Sequence, residues 1–128
     1  MIVLDACVLI SHFKAGDTHA QDAGNILDTE EELIIHPLTL AEILVGAVQT
    51  NQESKLLDAL GKMGIITWDP DTDHPLRLAQ LRASTPLRLP DCCVLDLATQ
   101  HNATLATFDA DLVKVARQKG VEILTSVV

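Results

Sequence analysis

Short apolar runs alternate with longer stretches of helical periodicity, and this alternation narrows the fold more than any other feature. Ile2–Leu4, Leu33–Ile35, Ile65–Trp68, Ala103–Thr107 and Val121–Leu124 have the length and continuity of buried strands. Thr18–Asp28, Leu38–Gln49, Glu53–Met63, Asp73–Ala83, Asp91–His101 and Ala110–Lys119 carry apolar residues at three- and four-residue spacing, which predicts helices. Strands separated by helices predict an α/β fold of three layers, α/β/α, around a mostly parallel sheet of four to five strands. Gly64 and Gly120 each follow a helical pattern and precede an apolar run, where a helix C-cap belongs. Pro37, Pro75 and Pro90 lie near helix starts, where a missing N–H costs little.

At 128 residues, 48% of them apolar, the chain suffices for one core and reads as a single domain, 1–128. No apolar run approaches the roughly 18 residues of a membrane span, and Asp5 interrupts the N-terminus before a signal-peptide core can form. A soluble cytoplasmic protein with no membrane association is expected. Cys92 and Cys93 are adjacent, with Cα atoms about 3.8 Å apart, closer than the ~4.4 Å minimum of ordinary disulfides. There is no Cys-x-x-Cys, and the five histidines show no zinc-ligand spacing, so any metal site must be built from oxygen. The net charge of −9 is the wrong sign for a broad basic nucleic-acid surface. The objection weakens if the negative charge gathers in one pocket neutralised by cations. With only Phe13, Trp68 and Phe108 as aromatics, a base-stacking platform is not expected.

In open α/β sheets ligands bind beyond the carboxyl ends of the strands. Asp5 closes Ile2-Val3-Leu4 and Asp109 closes the run ending at Phe108, which places both at one sheet edge if the strands are parallel. Asp91 follows Pro90 at a helix start, and Glu42 falls in the first turn after Pro37. A plainer reading stands beside the functional one: Asp91 and Asp109 as N-caps, and Thr39-Leu40-Ala41-Glu42 as a capping box. Asp5 is harder to explain as a cap, because the segment after it, Ala6–Ile10, is apolar. A divalent cation is an economical partner for converging acids, and Mg²⁺ or Mn²⁺ suits an oxygen-only set. Such a site activates water against a phosphodiester. Spacing alone selects neither RNA over DNA nor nuclease over phosphatase.

Ile2-Val3-Leu4-Asp5-Ala6-Cys7-Val8-Leu9-Ile10 resembles the opening of PIN domains, where an Asp ends the first strand. Leu40-Ala41-Glu42-Ile43, Leu89-Pro90-Asp91-Cys92-Cys93-Val94-Leu95 and Ala106-Thr107-Phe108-Asp109-Ala110-Asp111-Leu112 are similar to the family's other three acid segments, in family order. Together they span almost the whole chain, whose size resembles the VapC toxins of toxin–antitoxin pairs. The resemblance implies a PIN-like fold and a Mg²⁺- or Mn²⁺-dependent endoribonuclease. It further implies attack by metal-activated water, which leaves a 3′-hydroxyl and a 5′-phosphate, and inhibition by a VapB-like antitoxin. By position it makes Asp5, Glu42, Asp91 and Asp109 the metal-binding carboxylates and Thr107 the recurrent Ser/Thr two residues before the last acid. Thr107 and Asp109, at i and i+2, share a strand face. Cys7 departs from the Ser or Asn of many relatives and reads as a small buried residue.

Asp111 is a candidate outer ligand, whereas Asp96, about 140° around the helix from Asp91, reads as solvated. Arg77, Arg82 and Arg88 are candidates for RNA phosphates; Lys114, Arg117 and Lys119 share the last helical pattern. An antitoxin Arg or Lys entering the acidic pocket would displace metal or RNA. A homodimer is expected, with Leu40, Ile43, Leu44 and Leu57 available to its interface or to the core. The competing reading is a non-cleaving PIN-like module that binds RNA or protein. A phosphatase built on Asp-x-Asp is disfavoured by Cys7.

Overall fold

A computed structural model describes residues 1–126. The described elements, in chain order, are β1 (Ile2–Leu4), α1 (Ala6–Phe13), α2 (Ala20–Leu27), β2 (Leu33–Ile35), α3 (Pro37–Gln49), α4 (Glu53–Lys62), β3 (Ile66–Thr67), α5 (His74–Ser84), α6 (Leu89–His101), β4 (Thr104–Ala106), α7 (Ala110–Gln118) and β5 (Ile123–Leu124). The strands form one sheet ordered β3-β2-β1-β4-β5 with every pairing parallel. The fold is the expected three-layer α/β/α arrangement around a parallel sheet of five strands among the described residues.

The period of two within β1 divides the core. Val3 faces a cluster with Leu95, Leu97, Leu105 and Leu112 beneath α6 and α7, while Ile2 and Leu4 face Leu9, Ile26, Ile35 and Ile43 beneath α1–α3. Both faces of central β1, β2 and β4 are therefore largely dry, which explains why those strands read as unbroken apolar runs, whereas edge strand β3 is exposed. Central β1 pairs with β2 on one side and β4 on the other. The chain order thus reverses direction at β1, so a crevice opens beyond its carboxyl end. Gly64 and Gly120 hold φ of +72° and +78° directly after α4 and α7, conformations that a Cβ would strain.

One helix was not anticipated. Ala6–Ile10 lacks a polar face, yet it forms the first part of α1, whose Val8 and Leu9 are fully buried. Helix starts also move: α3 begins at Pro37 rather than Leu38, and α6 at Leu89 rather than Asp91.

Candidate active site

Asp5 sits where the two central strands end, its N–H held by the Ala106 carbonyl at 3.0 Å. Its Oδ1 accepts the Ala6 N–H at 2.9 Å and caps α1, which corrects the expectation that Asp5 is harder to explain as a cap than the other acids. Capping uses one oxygen only. Oδ2 accepts the hydroxyl of fully buried Thr107 at 2.7 Å, and that hydroxyl in turn accepts the Asp109 N–H at 3.1 Å. Thr107 thereby ties the first acid to the last across the β1/β4 junction.

Asp109 Oδ1 caps α7 by accepting the N–H groups of Asp111 (2.9 Å) and Leu112 (3.1 Å). Cys7 proves to be more than a small filler. Its Sγ lies 3.4 Å from Asp5 Oδ2 and 3.6 Å from Thr107 Oγ1, and it accepts the Phe108 N–H. Burial, then the Asp5 charge, pushes the thiol up to about 11, so it stays protonated and donates to Asp5.

Glu42 and Asp91 complete the arrangement without acting as N-caps. The residue before α3 is His36, whose Nδ1 accepts the Leu38 N–H at 2.9 Å. Glu42 therefore lies in the second turn, and the capping box expected at Thr39 does not form. The residue before α6 is Arg88, which puts Asp91 third in that helix. Desolvation raises the Glu42 carboxyl above its ordinary value, with the charges of Asp5 and Asp91 adding to it. Desolvation likewise raises Asp91, followed by Asp109 and Asp5, while Arg88 opposes both shifts.

Asp5, Glu42, Asp91, Asp109 and Arg88 line one cavity of about 330 Å³, into which four different elements or their ends deliver the acids. No three of these carboxylates bring ligand atoms within 4.8 Å of one another among the described residues. The pocket is thus an open bowl of hard oxygen donors with a single arginine among its lining residues. Its chemistry fits a divalent cation that keeps several waters. Asp111 is exposed and gives only its N–H to Asp109, and it does not line the cavity; neither does exposed Arg82.

The sequence matches the PIN domain family over residues 2–118. The chain belongs to the PIN domain family. No curated protein matches it by sequence. Among solved structures, a toxin–antitoxin complex from Klebsiella pneumoniae superposes with a TM-score of 0.77 at 26% identity, covering 90% of this chain and 92% of that one. VapBC2 of Rickettsia felis bound to a promoter DNA fragment gives 0.72 at 19% identity over 99% of this chain and 100% of the other. VapC20 of Mycobacterium tuberculosis, a Sarcin-Ricin loop cleaving toxin, gives 0.74 at 11% identity over 90% and 95%.

This PIN domain also contains a polar cluster that the sequence reading missed. Asp96 is buried rather than solvated: its Oδ2 accepts His74 Nδ1–H at 2.6 Å, and its Oδ1 accepts Arg77 Nε–H at 2.9 Å. Arg77 also holds Asp71 through bonds of 2.6 and 2.8 Å, so its guanidinium is engaged here and lies apart from the acids. His36 Nε2 and His74 Nε2 are 2.8 Å apart although 38 residues separate them in sequence.

Both histidine nitrogens and Cys93 Sγ lie within 4.8 Å of one another, a spacing that metals also use. The hydrogen bonds decide against an ion. His36 Nδ1 accepts from Leu38, so the proton sits on Nε2, where a metal would have to bind.

Proposed function

We propose that this PIN domain is a Mg²⁺- or Mn²⁺-dependent endoribonuclease, the toxin of a VapBC-type pair, acting as one unit in the cytoplasm. The observation that carries the reading is the convergence of Asp5, Glu42, Asp91 and Asp109 on one cavity, with two of them held above their ordinary carboxylate range. Glu42 and Asp91, raised first by desolvation and then by the charge of neighbouring carboxylates, describe a site that gains by taking up positive charge.

When bound, the cation supplies Lewis acidity, easing deprotonation of the attacking water and offsetting charge on the phosphate. The chain's own residues supply the geometry. Thr107 and protonated Cys7 fix Asp5, and the two N–H groups at the start of α7 fix one oxygen of Asp109. Glu42 receives no hydrogen bond among the described residues and is the most adaptable member, while Asp91 is met by the Arg88 backbone N–H. Arg88, on the cavity wall, is the cation placed to meet the substrate phosphate.

An antitoxin partner is supported by a groove of about 650 Å³ between α1, α3 and α4, lined by Leu9, Phe13, Ile43 and Leu56. Ile10 and Glu42 line both this groove and the acid cavity, so a segment seated in the groove ends at the acids. A basic side chain at that end would neutralise them in place of the cation. For the homodimer, Ile43 is used by the core, while Val45, Val48 and Leu57 remain exposed. Among the described residues no helix is long and apolar enough to cross a membrane.

The test uses purified protein freed of antitoxin. RNA cleavage should require Mg²⁺ or Mn²⁺, stop with EDTA and return on Mn²⁺ addition. Glu42→Gln should abolish it in folded protein, because Glu42 caps nothing. Metal-independent cleavage, or full activity in Glu42→Gln, contradicts the proposal.

A further inference from the structure

A second cavity of about 490 Å³ adjoins the acid bowl on the side away from the apolar groove. Phe108 and Ala110, the sequence neighbours of Asp109, line it, so it continues the crevice along the carboxyl edge of the sheet. Its other walls are unlike those of the groove. Lys114 and Arg117, one helical turn apart on α7, face Thr125 and Ser126, which follow β5 as Asp5 follows β1.

These two cations are uncommitted. Both are exposed, and neither forms a salt bridge among the described residues, whereas Arg77 is taken by Asp71 and Asp96 and Lys62 by Asp58. In a chain of net charge −9, two unpaired cations and two hydroxyls beside the acid bowl form a local anion-binding surface. On the wall of this second cavity the Phe108 ring stacks on His19, with centroids 4.6 Å apart and planes at 18°.

A substrate that brings one phosphate to the acids presents further phosphates along its strand. We propose that Lys114 and Arg117, with Thr125 and Ser126, form a subsite for the RNA backbone next to the scissile phosphate. This rests on the nuclease reading and gives its substrate strand a direction: along α7 and β5, leaving the apolar flank to the protein partner. It also moves the phosphate contacts from the Arg77 and Arg82 side, where Arg77 is engaged, to the opposite helix.

The experiment compares wild type with the double variant Lys114→Gln/Arg117→Gln. A control double variant, Lys62→Gln/Lys119→Gln, removes the same charge from helix ends at the other edge of the sheet. Binding of a labelled single-stranded RNA is measured by anisotropy across a salt series with Ca²⁺ replacing the catalytic ion. Cleavage kinetics are measured with Mn²⁺, and Mn²⁺ affinity by titration calorimetry. In the α7 variant we expect Kd and KM to rise about tenfold or more and the salt slope to flatten by about 1.4, two single-strand phosphate contacts. Its kcat should stay within about twofold and its Mn²⁺ affinity should not change, since neither residue reaches the acids.

An unchanged KM and salt slope overturns the proposal, and so do equal losses in both double variants, which would mean a general charge effect. Loss of antitoxin capture with RNA binding intact also overturns it, by assigning the surface to protein. Failure of wild type to cleave RNA sinks the nuclease reading alone. The anisotropy arm, which needs no turnover, still decides whether the strand binds here.

Discussion

Asp91 and Asp96 lie on the same helix, point to opposite sides of it and meet opposite fates. Asp96 enters a closed chain in which His36, His74, Arg77 and Asp71 satisfy one another through bonds of 2.6 to 3.1 Å. Asp91 enters a bowl shared with three other carboxylates, and it is held above its ordinary range. A buried charge with all its partners is scaffold: it joins the start of α3 to α5 and α6 and asks nothing of solvent. Four converging carboxylates with Arg88 as the one cation among the described residues of the cavity wall are a standing demand for positive charge. The unmet demand, more than the acids themselves, marks the candidate active site.

The two clusters should respond in opposite ways when a carboxylate is removed. Asp91→Asn should lower metal-dependent cleavage on the order of 10³-fold, because an amide binds the cation poorly. It should leave the folded structure intact, as judged by circular dichroism and the urea midpoint. Asp96→Ala should leave metal chemistry alone and cost about 3 kcal/mol in urea denaturation, since His74 and Arg77 lose a partner nearly out of reach of water. Equal stability losses in the two variants would erase the distinction.

The histidine chain also predicts an acid limit. Desolvation, then the neighbouring His74, pushes His36 down to about 4, with Asp96 pulling the other way. Its folded value lies below the unfolded ~6.5, so the unfolded chain takes up the proton first. Stability is therefore complete above about pH 6.5, falls between 6.5 and 4 by at most roughly 3 kcal/mol, and levels off below. Asp71, held down to about 2 by Arg77, loses its share only at more acid pH, below its ordinary value. His36→Asn keeps an oxygen to cap α3 and should flatten the window between 4 and 6.5 in pH-dependent urea titrations. An unaltered slope would place the acid sensitivity elsewhere.

How much of this was legible beforehand follows the range of the interaction. Parallel pairing and the dry central strands follow from apolar runs and periodicity, both local signals, whereas the order β3-β2-β1-β4-β5 is set by long-range pairing. The acids at strand and helix ends were visible for the same reason, whereas Thr107 and Asp109 lie beyond the end of β4 and meet through the Asp109 N–H and the Thr107 hydroxyl instead of sharing a strand face. What stayed hidden depended on long-range partners. The angle between Asp91 and Asp96 could be computed, yet nothing near Asp96 announced that His74 and Arg77 would cover it. The start of α3 was misjudged because histidine is an uncommon N-cap, and α1 because an all-apolar segment shows no helical stripe. The apolar stretch after Asp5 is nevertheless the signal that could have found α1, since a helix buried on most sides looks that way.

The smallest effect is the most discriminating. If the bowl is strained by its own charge, neutralising one acid should stabilise the protein without metal, the reverse of what removing a carboxylate from the histidine chain does. Asp91→Asn and Glu42→Gln, compared with wild type in EDTA, should each raise stability by a few tenths of a kcal/mol, held below about 1 because water reaches both groups. Saturating Mn²⁺ should invert the order. At a hundredfold excess over its Kd the ion adds about 2.7 kcal/mol to wild type and less to variants with a weakened site. A crossover in melting temperature between EDTA and Mn²⁺ would tie repulsion and metal affinity to the same carboxylates. Variants less stable than wild type in both conditions would mean that the acids hold the fold together, and the bowl would then be scaffold like the cluster across the helix.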